Sequence, residues 1–197
     1  AIVLAETAAI FVDGRYTVQV REQVDTALIT PEHLIENPPE TWIEKTLGPG
    51  AKLGFDPRLH TPEGVRKLEK ACRRAGATLV PVDGNPVDAV WSDRPAPPIA
   101  PVVPHPIALA GEETSTKLER IQKAVASHDA AALVVSDPHA VAWIFNVRGG
   151  DVSHTPLPLG HAIVPREGRP TLFMDGRKLS NAVRDALASV ADVQEPS

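Results

Sequence analysis

Apolar residues along this 197-residue chain come in short runs whose spacing alternates between the period of a strand and that of a helix. Ala1–Leu4 and Ala9–Val12 read as two strands around a turn at Glu6-Thr7, and Asp13-Gly14-Arg15 then leads into a helix over Tyr16–Val24. Thr30-Pro31 and Pro38-Pro39 carry helix-start or turn signals. Trp42, Ile43 and Leu47 line one side of a short helix that Gly48-Pro49-Gly50 ends, and Lys52–Phe55 predicts a strand. Thr61-Pro62-Glu63 opens the clearest helix of this half. Thr61 is its cap, Val65, Leu68, Cys72 and Ala75 are its inward stripe, and Gly76 is its stop. Arg66, Lys67, Lys70, Arg73 and Arg74 fall outward, as a solvated face or a binding patch. Thr78–Val82 predicts a strand and Pro86–Trp91 a short element.

Arg94–Pro106 is so rich in proline that it cannot donate a continuous ladder of hydrogen bonds, and it predicts an extended, semi-rigid spacer. The expected organisation is therefore a domain over residues 1–93, a linker over 94–106 and a second domain over 107–197. In the second, Thr116-Lys117-Leu118-Glu119 has the form of a capping box, and Leu118, Ile121 and Val125 share a helical face. Ala131–Val135 predicts a buried strand, His161–Val164 and Thr171–Met174 a hairpin turning at Arg166–Gly168, and Leu179, Val183 and Leu187 a final helix.

That ending repeats the beginning. Ala1-Ile2-Val3 … Phe11-Val12-Asp13-Gly14-Arg15 matches Ala162-Ile163-Val164 … Phe173-Met174-Asp175-Gly176-Arg177 with one residue of slip, and a helical pattern follows each. Two hairpin–Asp-Gly-Arg–helix units imply two α/β domains of one kind, with mixed sheets flanked by helices, the first incomplete at its start. Each Asp-Gly-Arg reads as a turn with glycine at positive φ and a local ion pair. A chain that opens on Ala1 inside a strand is expected to be a piece of a longer polypeptide.

Composition narrows the function classes. The net charge of -5 divides evenly, with 10 basic and 13 acidic residues before Asp93 and 10 and 12 from there on. Neither half has the basic field that draws in nucleic acid or a membrane surface. No apolar run approaches the roughly 18 residues of a membrane span. The single cysteine, Cys72, forms no internal disulfide and has no zinc-site spacing around it, which points to a reducing, cytoplasmic setting. Phosphate-cradling, nucleophile-elbow and His-Glu-x-x-His motifs are all missing from the sequence.

The most informative stretch is residues 137–151. Asp137-Pro138 caps and starts a short helix, Val141, Ile144 and Phe145 give it an apolar face, and Gly149-Gly150 permit a reversal. The turn presents Asn146, Arg148 and Asp151, with Ser153 and His154 just beyond. Either it is a solvated helix stop, or these residues line a cleft, since polar groups on a loop after a buried helix are where sites sit.

Ala142-Trp143-Ile144-Phe145-Asn146-Val147-Arg148-Gly149-Gly150-Asp151-Val152, together with Tyr16-Thr17-Val18-Gln19-Val20 and Trp91-Ser92-Asp93-Arg94-Pro95, resembles the long, three-domain form of Xaa-Pro aminopeptidase. The resemblance runs over essentially the whole chain. It implies two creatinase-type amino-terminal domains that wall an active-site cleft and support a homodimer, followed by a separate catalytic domain. That catalytic domain would hold two divalent metal ions, usually manganese, on two Asp, one His and two Glu, and would release an N-terminal residue preceding proline from short peptides. None of those ligands maps onto this sequence, so no cofactor is expected in the chain itself. The turn residues Asn146, Arg148, Asp151 and His154 become cleft candidates on this resemblance. The other class of reading is a stand-alone creatinase-like binding or dimerisation module without chemistry.

Overall fold

The computed structural model describes residues 1–196 and divides the chain into two compact units, Ala1–Arg94 and Pro95–Ser197.

In the first unit, β1 (Ile2–Val3) and β2 (Ala8–Val12) form an antiparallel hairpin, and α1 (Thr17–Gln23) leads to β3 (Thr30–His33), which lies parallel to β2. The Thr30-Pro31 signal thus belongs to a strand and not to a turn or helix start. β3 is the outer strand of a three-stranded sheet, where a residue without an N–H is tolerated. α2 (Pro39–Thr46) starts at the expected double proline and buries Trp42 and Ile43. β4 (Lys52–Phe55), α3 (Pro62–Arg74) and β5 (Thr78–Pro81) form a parallel strand–helix–strand unit, and α4 (Pro86–Val90) closes the half. Thr61 caps α3 by accepting the Gly64 N–H, and Gly76 leaves the helix at φ 72°. The core gathers Ala9, Trp42, Ile43, Ala71, Cys72 and Ala77. Lys67, Arg73 and Arg74 pair with Glu63, Glu69 and Glu44, which makes this side of α3 a solvated ionic face.

The second unit is built around a four-stranded sheet whose strands lie in the order 192–194, 171–173, 161–165 and 132–135. Its elements in chain order are β6 (Val103–Pro104), α5 (Ile107–Ala110), α6 (Thr114–Ser127), β7 (Ala132–Val135), α7 (Pro138–Ile144), β8 (Val147–Arg148), β9 (His161–Pro165), β10 (Thr171–Phe173), α8 (Asn181–Ala188) and β11 (Asp192–Gln194). Leu118, Val141, Ile144, Phe145, Val164, Leu172, Val183 and Leu187 meet in one core.

Three expectations change here. The proline-rich stretch is not spacer throughout, because Val102 is buried in the second core and β6 pairs antiparallel with β8. α6 begins at Thr114 rather than at a Thr116 capping box. Glu113 stands at its N-cap without a side-chain hydrogen bond, and burial of Thr114, Lys117 and Leu118 fixes its first turns. β7 is the outermost strand of its sheet, so only Val135 is buried and Val134 remains 69% exposed.

The internal repeat is physical. β9 and β10 form an antiparallel hairpin, and β10 pairs in parallel with β11 after α8, as β1, β2, α1 and β3 do in the first unit. Asp13 accepts from the Arg15 backbone and guanidinium, and Asp175 does the same with Arg177, at 2.7 and 2.6 Å for the two ion pairs. Neither Gly14 nor Gly176 adopts positive φ, contrary to expectation. The Asp–Arg bond closes the turn without a left-handed residue.

Candidate functional site

α7 forms where expected. Asp137 accepts from the His139 N–H, Pro138 occupies the first turn, and Val141, Ala142 and Ile144 are buried. The backbone reversal after it is made by Asn146, at φ 49°, and not by Gly149 or Gly150, whose φ values are not positive. Asparagine takes that left-handed conformation more readily than most residues because its side chain hydrogen-bonds locally. Gly149 serves a different need. A Cβ there would lie 2.9 Å from the backbone of Pro158, so the two chain segments touch at this point.

Asn146 is tied on three sides. Its Nδ2 donates to the Glu112 carbonyl at 2.9 Å, its Oδ1 accepts from Lys117 Nζ at 2.7 Å, and its own carbonyl accepts from the His105 N–H at 2.7 Å. Lys117 is 1% exposed and also donates to the Trp143 carbonyl at 2.7 Å. Its ammonium stands 4.4 Å from the centroid of the Trp143 ring. Burial pushes the Lys117 ammonium below its ordinary pKa, and the Glu112 carboxylate opposes that shift. Arg120 lies 5.6 Å from the same ring and is held by Glu112 through bonds of 2.7 and 2.9 Å. Trp143, 44% exposed, thereby meets two cations of α6.

Arg148 turns back on the helix end, and its Nη1 donates to the carbonyls of Ala142 and Val147. Asp151 points inward. Its side chain is fully buried, pairs with the buried Lys178 at 2.7 Å, and accepts the N–H groups of Ala100 and Leu159. Val152 and Thr155 bridge to each other, which leaves Ser153 and His154 at the tip of a tight turn, with His154 exposed at φ 58°. The structure therefore gathers Asn146, Arg148 and Asp151 into the framework of one loop and sets His154 apart on its rim. A groove of about 280 Å³ beside this framework is lined by Asn146, Phe145, Val147, His105, Thr114 and Leu187, among others.

Lys117 and Lys178, the two buried cations of the arrangement, were not among the candidates read from sequence. Lys117 lies four residues before Ile121 and three after Thr114, on the inward face of α6, and an interior lysine in that register is a detectable signal. Lys178 stands where the first repeat has Tyr16, one residue past the last matching position of the two repeats, so no local pattern marked it. Among the described residues, no group of three or more His, Cys, Asp or Glu side chains is placed to hold a metal ion. These residues do not fit a metal centre. Among the same residues, no helix is long and apolar enough to cross a membrane.

Two family patterns, both described as the creatinase/prolidase N-terminal domain, match the chain, one over residues 1–90 and the other over 93–197. The chain is 35% identical over 190 residues to a probable Xaa-Pro aminopeptidase P of Arthroderma gypseum, covering 95% of this chain and 30% of that protein. It is 36% identical to the corresponding protein of Coccidioides posadasii, again over 95% of this chain and 29% of the relative. The chain thus spans about 30% of the length of the curated relatives it matches. Among solved structures, the X-prolyl aminopeptidase of Caenorhabditis elegans, described as a cytosolic enzyme with a di-nuclear active site, superposes with a TM-score of 0.88 at 29% identity. That match covers 98% of this chain and 32% of the other.

Proposed function

This chain belongs to the creatinase/prolidase N-terminal domain family over both of its halves, and from that premise we propose that it is the non-catalytic amino-terminal portion of a metal-dependent Xaa-Pro aminopeptidase. The observation that carries the reading is the continuous match of 95% of the chain to proteins named for that activity, with only 30% of their length spanned. The parent enzyme releases an N-terminal residue that precedes proline. Its two divalent metal ions, manganese on this reading, lie in a catalytic domain elsewhere in the polypeptide and supply a metal-bound nucleophile.

The role of the present domains is to wall the active-site cleft, to restrict entry to short peptides, and to support a cytoplasmic homodimer. On this reading Asn146, Arg148 and Asp151 hold the shape of the cleft-facing turn from within, and His154, which is exposed at its tip, is the residue assigned to meet peptide. The test is to express the complete reading frame of the parent gene and follow Arg-Pro-Pro hydrolysis with and without manganese. Manganese-dependent release of the N-terminal arginine is expected. A reading frame without that activity overturns the proposal.

A further inference from the structure

The segment read from sequence as spacer contains a built fastening. Prolines 101 and 104 donate nothing, so a chain of this composition can be held only through the few N–H groups it retains. Three of them are used. Ala100 donates to Asp151 Oδ1 at 3.0 Å, Val102 to the Lys178 carbonyl at 2.9 Å, and His105 to the Asn146 carbonyl at 2.7 Å. Between them Val102 enters the core, and Val103 and Pro104 pair with Arg148 and Val147.

The residues that receive this segment are themselves locked together. Asp151 Oδ2 takes both Lys178 Nζ and the Leu159 N–H at 2.7 Å, and Lys178 also reaches the Leu159 carbonyl at 3.2 Å. With side chains 0% and 5% exposed, the pair is removed from water, so losing one partner strands a charge. The first unit shows that the hairpin fold does not need this fastening. Its equivalent turn, Asp13-Gly14-Arg15, is followed by an exposed Tyr16 where the second has Lys178.

We propose that the Asp151–Lys178 pair is a latch that clamps residues 100–105 as a strap on the second unit. Only residues 95–99 are then left to serve as free connecting chain. Opening the latch frees the Ala100–Val102 end of the strap without unfolding the β9–β10 hairpin. Because one carboxylate receives both Ala100 and Leu159, these two amides open together.

Native-state amide hydrogen exchange on the 197-residue chain tests this at single residues. In the unaltered protein, Ala100 and Leu159 are expected to share one opening rate, within threefold. In Asp151→Asn, exchange at Ala100, Val102 and Leu159 rises at least tenfold, while Val164 and Leu172 in the hairpin keep their protection. A folded Asp151→Asn with unaltered exchange at Ala100 and Val102 overturns the latch. So does unaltered protein in which Ala100 and Leu159 differ more than tenfold, a result that stands even if the variant fails to fold.

Discussion

The ammonium of Lys117 lies 2.7 Å from Oδ1 of Asn146, joining the fourth residue past the N-cap of α6 to the left-handed residue that ends α7. A buried cation normally demands a carboxylate. Here it is met by an amide oxygen, the Trp143 carbonyl and the face of the Trp143 ring. The arrangement trades solvation for position, because it holds Asn146 in a conformation in which it also bonds Glu112 and His105.

Replacing Lys117 with methionine keeps most of the bulk and strands two acceptors. We expect a loss of about 1–3 kcal/mol, the cost of leaving buried hydrogen-bonding groups unmade. Urea unfolding followed through resonances of the second unit checks this. Lys117→Gln, which retains a donor, should lose less, and resonances of the first unit should not move. Equal stability of Lys117→Met and the parent would mean the network is incidental.

Gly149→Ala should destabilise the second unit by about 1–3 kcal/mol, as overpacked cores do, since the new methyl meets Pro158 backbone at 2.9 Å. Gly150→Ala meets only the Ala100 methyl, at 3.3 Å, and should cost distinctly less. Thermal unfolding of the two variants side by side reads the difference.

The two Asp-Gly-Arg turns should titrate as twins. Hydrogen bonds from Arg15 and from Arg177 hold Asp13 and Asp175 each at about 2, below their ordinary 3.8. A carboxylate depressed in the folded state contributes stability that is fully present above its unfolded pKa and is lost as pH falls through its folded value. The window is therefore from about pH 4 down to about pH 2. Carboxyl-carbon NMR should place both midpoints near 2, and Arg177→Ala should return Asp175 toward 3.8 without moving Asp13.

Cys72 is buried in the first core, and burial pushes its thiol pKa up. It should resist a thiol-specific reagent in native buffer at pH 8 and react stoichiometrically once urea is added. Rapid native labelling would contradict the packing described for α3.

What the sequence disclosed and what it hid have separate physical causes. The strand–turn–helix repeat was legible because its apolar positions keep period in both copies and Asp-Gly-Arg closes each turn through adjacent residues. α3 and α7 were legible because Thr61 and Asp137 bond within their own first turns. The Thr30-Pro31 strand and the exposure of β7 were not, since whether a strand is central or outer depends on neighbours far away in the chain. The candidate turn was located correctly along the chain, but its mechanics were not visible. Asn146 depends on Lys117, 29 residues away, and Asp151 on Lys178, 27 residues away. No local pattern encodes such pairs. The glycines drew attention as flexible points, whereas Gly149 is there because Pro158 leaves no room.

On the proposed function this chain is scaffold and the chemistry belongs to the rest of an aminopeptidase. The most direct measurement is an Arg-Pro-Pro hydrolysis assay, with added manganese, on the chain alone after its intact mass has been verified at 21.0 kDa. No release of arginine above the rate of buffer with manganese is predicted. Manganese-dependent release by the verified 21.0 kDa chain would contradict the account, because its described residues provide no cluster to hold the metal.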